Sequence, residues 1–427
     1  MDLEALEAAV RGACLGAGAS LLEELVRHVG VGRRNEVVRC KCGAPMRSRG
    51  VKTKTVHTLL GGIRFARSAY SCTRCRKTRY PGDEELDVAG THYSPGVRRL
   101  VADFASGAPF KRVSRQLKMA AALRISRKDC ERIAEGVGEQ MERWFDAERD
   151  RMRFAEPPPP GAPRTLDTLY IEMDGTGIPM VPAETAGRKG KQKDGSAKTR
   201  EAKLGCVFTQ TLFDGKGRPV RDPASTTFVG AIEPAHNFGW RIYGEAVRRG
   251  LYQAKRFVVI TDGAEWIRNI VQAHFSNAIH IIDLYHAREH LMDLCRLLFD
   301  RDIRRLNYYK ERWWDSLDEG NVEAIVEEAR AHLPKDVNAK KDARGHIGYF
   351  ENNKERMRYQ EFFDKGLFVG SGVIEAGCKN VIGQRLKQSG MEWTVRGANA
   401  ITALRCGIQS NRFEDYWEER SPENPRF

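Results

Sequence analysis

The chain has 427 residues, 41% of them apolar, so a sizeable core and two to four domains are within reach. Its formal charge of +14 favours a polyanionic partner and excludes nothing soluble by itself. Neither a cleavable leader nor a run of 18 apolar residues is found, so no membrane span is expected, and ten cysteines without a secretion signal point to a reducing, cytoplasmic setting where close cysteine pairs favour metal.

Residues 2–28 read as an amphipathic helix on Leu3, Leu6, Val10, Leu21, Leu22 and Val26, expected to break at Gly16-Ala17-Gly18. Residues 31–80 then hold 14 Lys or Arg against one acid, Glu36, so nearly all the excess charge lies in that stretch. Phosphate contacts from it would give affinity and salt dependence rather than sequence choice. Arg47, Lys52, Lys54, Arg74, Arg76 and Lys77 are its candidate DNA-binding residues. The same stretch carries Cys40-Lys41-Cys42 and Cys72-Thr73-Arg74-Cys75 around a β-rich span, 53–60 and 63–70. Four thiolates at this spacing suit one structural zinc, as in a zinc ribbon, although the first knuckle has one intervening residue instead of two; free structural cysteines are the alternative. The other six cysteines are scattered and read as small buried hydrophobes.

From 95 to 150 the pattern is helical, with Val101, Phe104, Ala105 and Ala108 on one face, Val113, Leu117, Ala120 and Ala121 on another, and Ser126 as the N-cap of a third helix. Two helices, a short turn and a capped third helix describe a helix-turn-helix. The run EPPPPGAP at 156–163 is a stiff spacer and the clearest domain boundary.

Strands follow at 168–173, 202–210, 224–229, 256–261 and 278–283, with helices at 239–250 and 264–275. Three strands followed by β-α-β is the RNase H-like arrangement, an α/β fold whose first and fourth strands are neighbours. The Gly-rich basic segment 187–193 is expected to be a mobile loop whose Arg188 and Lys189 touch the nucleic acid backbone; a solvated hairpin tip is the other reading. From about 287 to 365 strand signals vanish and helical spacing takes over, an all-α insertion. The expected organisation is an N-terminal helix (1–30), a zinc-ribbon-like basic domain (31–88), a helix-turn-helix-like domain (89–155), a linker (156–163), a catalytic domain in two parts (164–287 and 367–415) around the insertion (288–366), and a tail (416–427).

Three carboxylates stand out. Asp174 ends the apolar run 169–173, Asp262 ends the run 257–261, and Glu375 follows Gly370-Ser371-Gly372-Val373-Ile374 at the start of a helix. A carboxylate at a strand end reaches the sheet edge, and neighbouring strands would bring both aspartates together. Two divalent ions about 4 Å apart could there clamp the attacking and leaving oxygens of a phosphoryl transfer. Hard oxygen ligands suit magnesium or manganese. Each aspartate alone reads equally as a turn or cap residue, so the case rests on the combination.

The run Glu172-Met173-Asp174-Gly175-Thr176-Gly177 resembles the first catalytic block of bacterial insertion-sequence DDE transposases. Val259-Ile260-Thr261-Asp262-Gly263-Ala264-Glu265-Trp266 resembles the second block, and Gly370 to Glu375 the third. Asp283-Leu284-Tyr285-His286 resembles the Asp/Cys-x-x-His motif of the Mutator-like superfamily, within which 198–205 and Met391-Glu392-Trp393-Thr394 are most similar to the ISKra-type transposases. The resemblance covers roughly residues 165–410 and implies that Asp174, Asp262 and Glu375 bind two magnesium (or manganese) ions. It places Asp283 and His286 beside the site, with His286 assisting proton transfer or bracing; a helix-capping Asp with a packed His is the plain alternative. It lets Trp393 stack on a flipped base or DNA end, and Arg385 and Lys387 meet phosphate, against a core tryptophan and a solvated helix face. The implied partners are double-stranded DNA, both terminal inverted repeats and target, and a second copy of the chain in the DNA complex; no small-molecule substrate is implied. A nuclease that cuts without joining, or a non-catalytic DNA-binding regulator, remains the alternative.

Overall fold

The computed structural model describes residues 2–29, 32–159, 161–190, 192–299 and 301–420. Pro160 of the proline run, Lys191 of the basic segment and residues 421–427 of the expected tail lie outside the described residues. The chain forms two compact units, Met1–Trp144 with Arg412–Phe427, and Phe145–Asn411. The division falls inside a helix, ahead of the proline run rather than at it.

In the first unit, α1 (Leu3–Val29) is one unbroken helix. The expected break is absent although a helical glycine costs about 1 kcal/mol relative to alanine. Packing offsets that cost: Ala19, Leu22 and Val26 lie against Val56, Ile63 and Phe65 of a hairpin, and Leu60 Cδ1 would be 3.4 Å from a Cβ on Gly18. By length and composition alone α1 also meets the requirement for a membrane-crossing helix, one exception to the expected absence of such a segment. The hairpin is β1 (Met46–Thr58) against β2 (Gly61–Cys72), antiparallel, with β3 (Thr78–Arg79) on the far side of β2. A short α2 (Pro81–Glu85) precedes three helices, α3 (Pro95–Gly107), α4 (Phe110–Ala121) and α5 (Arg127–Arg153). Ser94 caps α3 through the Val97 N–H at 3.3 Å, and Ser126 caps α5 through the Asp129 N–H at 3.0 Å. Between α4 and α5 the chain turns at Ala122, in the left-handed region at φ 55°.

The second unit runs β4 (Leu166–Pro179), α6 (Pro182–Thr185), β5 (Thr199–Gln210), a small hairpin β6 (Leu212–Phe213) and β7 (Pro219–Val220), β8 (Thr227–Ala231), α7 (Ala235–Arg248), β9 (Ala254–Thr261), α8 (Glu265–His274) and β10 (Ile279–Ile282). A helical excursion follows, α9 (Leu284–Phe299), α10 (Ile303–Asp318), α11 (Val322–Ala331), α12 (Val337–Asn353) and α13 (Tyr359–Asp364). The chain then forms α14 (Gly372–Gly377), a π-helical turn (Cys378–Gly383), α15 (Gln384–Leu386) and α16 (Val395–Gln409), and α17 (Phe413–Glu419) belongs to the first unit.

The main sheet has the order β10-β9-β4-β5-β8. The β4–β9 and β9–β10 pairs are parallel, and β4–β5 and β5–β8 antiparallel, so the sheet is mixed. Alternation along β4 decides what each face carries. Leu169, Ile171 and Met173 enter a core with Val259 of β9, Phe238 and Ile242 of α7, and Ile267 and Ile270 of α8. Tyr170, Glu172 and Asp174 point to the other face, where α14 and the π-helical turn pack. Burial on both faces explains the continuous apolar run. β4 continues to Pro179, so Asp174 is not at its end. The basic segment is a hydrogen-bonded hairpin rather than a loose loop: Lys189 bridges Ser196, and the Ala197 N–H donates to Arg188 O at 3.0 Å.

Candidate active site and cysteine site

The parallel register pairs Glu172 of β4 with Ile260 of β9. Two residues further on, one pleat repeat along, Asp174 and Asp262 stand level on the same face. Their carboxylates feel one another: burial pushes the Asp262 carboxyl up, and the charge of Asp174 adds to that, against the Ala264 N–H, which donates to Asp262 Oδ1 at 2.8 Å. Gly263 beside it takes φ 91°, and a Cβ there would lie 3.0 Å from Tyr349 Cε2 of α12, so this turn needs glycine twice over. The Tyr349 hydroxyl donates to Asp262 O at 3.4 Å. Asp174 Oδ1 accepts the Gly175 N–H at 2.6 Å.

Glu375 lies in the first turn of α14, and Ser371 Oγ donates to its Oε1 at 3.4 Å. Cys378, one turn on, ties the group together: its thiol is pushed far up by burial and by the charges of Asp174 and Glu375. Lys387 donates to Thr176 Oγ1 on β4 and lowers the same thiol, so an exposed cation stands at the rim.

Two fully buried carboxylates hold the chain that delivers Glu375. Asp283 accepts the His286 N–H at 2.7 Å with Oδ1, capping α9, and the Ser371 N–H with Oδ2. Both Asp283 oxygens are thus engaged by backbone, the helix-capping arrangement that was the plain alternative for this motif. Glu172 Oε2 accepts the Ile374 N–H at 2.8 Å, and burial pushes its carboxyl up to about 8. Glu172, Cys378 and Tyr349 were not singled out from sequence. Glu172 had a signal, since it sits two residues before Asp174 in an otherwise apolar strand and therefore on the same face. His286 is half-buried, with Nδ1 3.8 Å from Asp283 Oδ1, and its charge lowers the Asp262 carboxyl. Behind it His290, pushed down to about 4 by burial, stacks on Tyr349 at 3.9 Å.

Three expected DNA contacts are instead internal. Lys54 is buried with its ammonium 3.0 Å from Asp83, where Arg67 also pairs. Arg385 is fully buried, its guanidinium pushed down to about 10 by burial and Arg405, and stacks 5.1 Å from the Trp393 ring centroid. Trp393 is buried and donates from Nε1 to Leu386 O at 3.0 Å, a core tryptophan. Arg47, Lys52, Arg74, Arg76, Lys77, Arg188 and Lys189 are exposed.

The thiols of Cys40, Cys42, Cys72 and Cys75 lie within 4.8 Å of one another, with Cys40–Cys75 and Cys42–Cys72 each at 3.5 Å. A tetrahedron of Zn–S bonds of about 2.3 Å has edges near 3.8 Å, so the quartet fits the ion. N–H groups of Cys75 and Arg74 point at the Cys72 sulfur and bring its thiol down to about 6, favouring the thiolate that a metal needs. Among the described residues no other group of three or more such donors is as tight, so Asp174, Asp262 and Glu375 are spread wider than a single-ion cage. Their hard oxygen donors, two level on adjacent strands, suit divalent ions of the magnesium kind in type.

Residues 247–420 match the model of the uncharacterised protein family UPF0236, a span that includes Asp262 and Glu375 but neither Asp174 nor the quartet Cys40, Cys42, Cys72 and Cys75. A curated relative, the UPF0236 protein in the vanSb 3′ region of Streptococcus gallolyticus, is 22% identical over 379 residues, covering 87% of this chain and 76% of the relative. Among solved structures, the Drosophila P element transposase strand transfer complex is similar over 79% of this chain and 83% of its own, at 10% identity and a TM-score of 0.25, too low to establish a shared fold.

Proposed function

We propose that this chain is a DNA transposase of the DDE type, resembling the ISKra group, with an RNase H-like catalytic unit. The observation that carries the reading is the β4–β9 register, which sets Asp174 and Asp262 side by side, with Glu375 brought to the same face on α14. The strand order, with the first strand between the second and fourth, supports the same fold. Asp174, Asp262 and Glu375 would hold two magnesium or manganese ions. Bound there, such ions would supply charge neutralisation at the phosphoryl oxygens and a more acidic water.

The chain's own residues do the rest. Asp174 and Asp262 give a level anionic floor, and β4 fixes Glu375 against it. His286, facing Asp262, is positioned in its neutral form to take one proton of the attacking water as the water oxygen bonds to phosphorus, while the 3′-oxygen leaves and takes a proton from solvent to become a hydroxyl. The freed 3′-hydroxyl then attacks a target phosphodiester, losing its proton to the same imidazole once that has shed the first to solvent, and the target's own 3′-oxygen leaves with a solvent proton, one P–O bond exchanged for another. Lys387 meets phosphate at the rim. The cysteine quartet, with one zinc, and the helices α3 to α5, as a helix-turn-helix region, would bind the terminal repeats, and a homodimer would pair the two ends.

Cleavage of labelled DNA carrying the element's own ends tests this with magnesium, manganese or chelator present. Wild type is expected to nick at the ends only with metal, and Glu375→Ala to lose at least ~100-fold, the scale of a lost phosphoryl-transfer group. Nicking that survives in Glu375→Ala would sink the enzyme assignment. Cutting without joining of pre-cut ends would leave a nuclease.

A further inference from the structure

We propose that Glu172 and Asp283 are the positioning residues that set Glu375 against Asp174, acting as a two-point clamp on the backbone that delivers it. The inference rests on the DDE reading above and assigns a role to a residue, Glu172, that the catalytic motif leaves without one.

The problem the fold must solve is distance along the chain. Asp262 and Glu375 are 113 residues apart, and among the described residues six α-helices, α8 to α13, lie between them. Left to itself, α14 would hang from the end of a long excursion. The structure ties it down in two places. At the first, Leu284 donates its N–H to Val369 O at 2.9 Å, and Asp283 Oδ2 accepts the Ser371 N–H. The excursion's two ends are thus joined beside β10, and Asp283 spends its other oxygen on the start of α9.

At the second point, Glu172 Oε2 accepts the Ile374 N–H at 2.8 Å. The first N–H groups of a helix have no partner within it. Ser371, at the N-cap position, gives no side-chain cap, so the acceptor comes from the sheet. Glu172 and Asp174 are alternate residues of one strand and share a face. One short piece of β4 therefore carries a candidate ligand and the anchor for the residue that follows Ile374, the third ligand. Ser371 completes the link, being held by Asp283 and touching Glu375 Oε1 through its hydroxyl.

Burying carboxylates is costly unless their oxygens are paired. Glu172 and Asp283 have no exposed surface, and Glu172 Oε1 has no hydrogen-bond partner among the described residues. A purely structural position would be filled as well by an apolar side chain, since a buried acid can often be replaced by a packed apolar residue without loss of stability. What methionine cannot supply is the acceptor at Ile374.

The test uses the full zinc-loaded chain and compares Glu172→Met, Glu172→Gln and Asp283→Asn with wild type and Glu375→Ala. Two readouts are taken: manganese binding followed by electron paramagnetic resonance, and end cleavage as a function of magnesium. Glu172→Met is expected to weaken manganese binding and raise the magnesium needed for half-maximal cutting by about 10- to 100-fold, the usual effect of removing a group that orients a ligand. Its thermal midpoint should fall modestly, by the cost of one unmet buried N–H, and its DNA affinity should stay near wild type. Glu172→Gln, which keeps an acceptor oxygen, should recover most of the loss, and Asp283→Asn, which loses one of two acceptors, should fall between. Wild-type metal dependence in Glu172→Met, beside a Glu375→Ala that no longer cuts, overturns the clamp and leaves the DDE reading standing. If Glu375→Ala still cuts, the DDE reading falls and the clamp with it. A Glu172→Gln as impaired as Glu172→Met also overturns the clamp, because the acceptor would not be what matters.

Discussion

Lysines 52 and 54 sit two positions apart in β1 and so share a face, yet charges that look alike in sequence meet opposite fates along it. Lys52 is exposed, whereas Lys54 is buried against Asp83 and has its ammonium pushed down, first by burial. Lys54→Ala is expected to destabilise the first unit by about 3 kcal/mol in urea titration, because it strands a buried carboxylate partner, though Arg67 still pairs Asp83 and trims the loss. Lys52→Ala should leave the urea midpoint in place. The cysteine site offers a second expectation at this scale. N–H groups of Cys75 and Arg74 hold the Cys72 thiol down at about 6 before metal binds, below its ordinary value, so the stability this thiolate contributes is lost as pH falls through that range. Zinc competes with protons for the same sulfurs and should keep its site to a lower pH still, so zinc content is expected to be full at 7 and to fall only on further acidification, while Cys72→Ser should lower it at every pH. Charge and residue type were readable in sequence here; which lysine is covered was not, because both take the same face of β1 and only Asp83, brought in by α2, buries one of them.

Among elements, α1 shows where local propensity gives way to packing. Its glycines read as a break, yet docking of Ala19, Leu22 and Val26 carries the helix through. A methyl group on Gly16 would meet nothing within 4 Å, so Gly16→Ala is expected to raise stability by about 1 kcal/mol in thermal unfolding. Gly18→Ala, with Leu60 at 3.4 Å, should gain less. The strands of the second unit were legible because burial on both faces leaves nearly uninterrupted apolar runs at 169–173 and 257–261. The end of β4 was not, since polar residues 174–177 continue the ladder with β5 through backbone bonds that side chains do not announce. The same limit hid the roles of Arg385 and Trp393, since Trp393 pairs its backbone with Pro179 and Met180 at the end of β4 and Arg385 stacks on its ring, a long-range event.

For the molecule as a whole, charge is the property that sequence reports best, because it sums without knowledge of contacts. The cations of 31–80 left exposed include Arg47, Lys52, Arg74, Arg76 and Lys77. Replacing all five by glutamine is expected to flatten the slope of log binding constant against log salt by up to about 4.5, or about 0.9 for each phosphate no longer neutralised. A slope that does not move would place the DNA elsewhere on the chain. Assembly order is the other whole-molecule property. The bond from the Ile374 N–H to Glu172 joins residues 202 positions apart, and the Ser371–Asp283 bond spans 88. Contacts so distant in sequence close late in folding. A ribosome that has released β4, β9 and the whole helical excursion has not yet made Ser371 or Ile374, so Asp283 Oδ2 and Glu172 Oε2 wait without these backbone partners until the chain returns. If the three carboxylates act together as proposed, synthesis itself delays the moment at which they can do so.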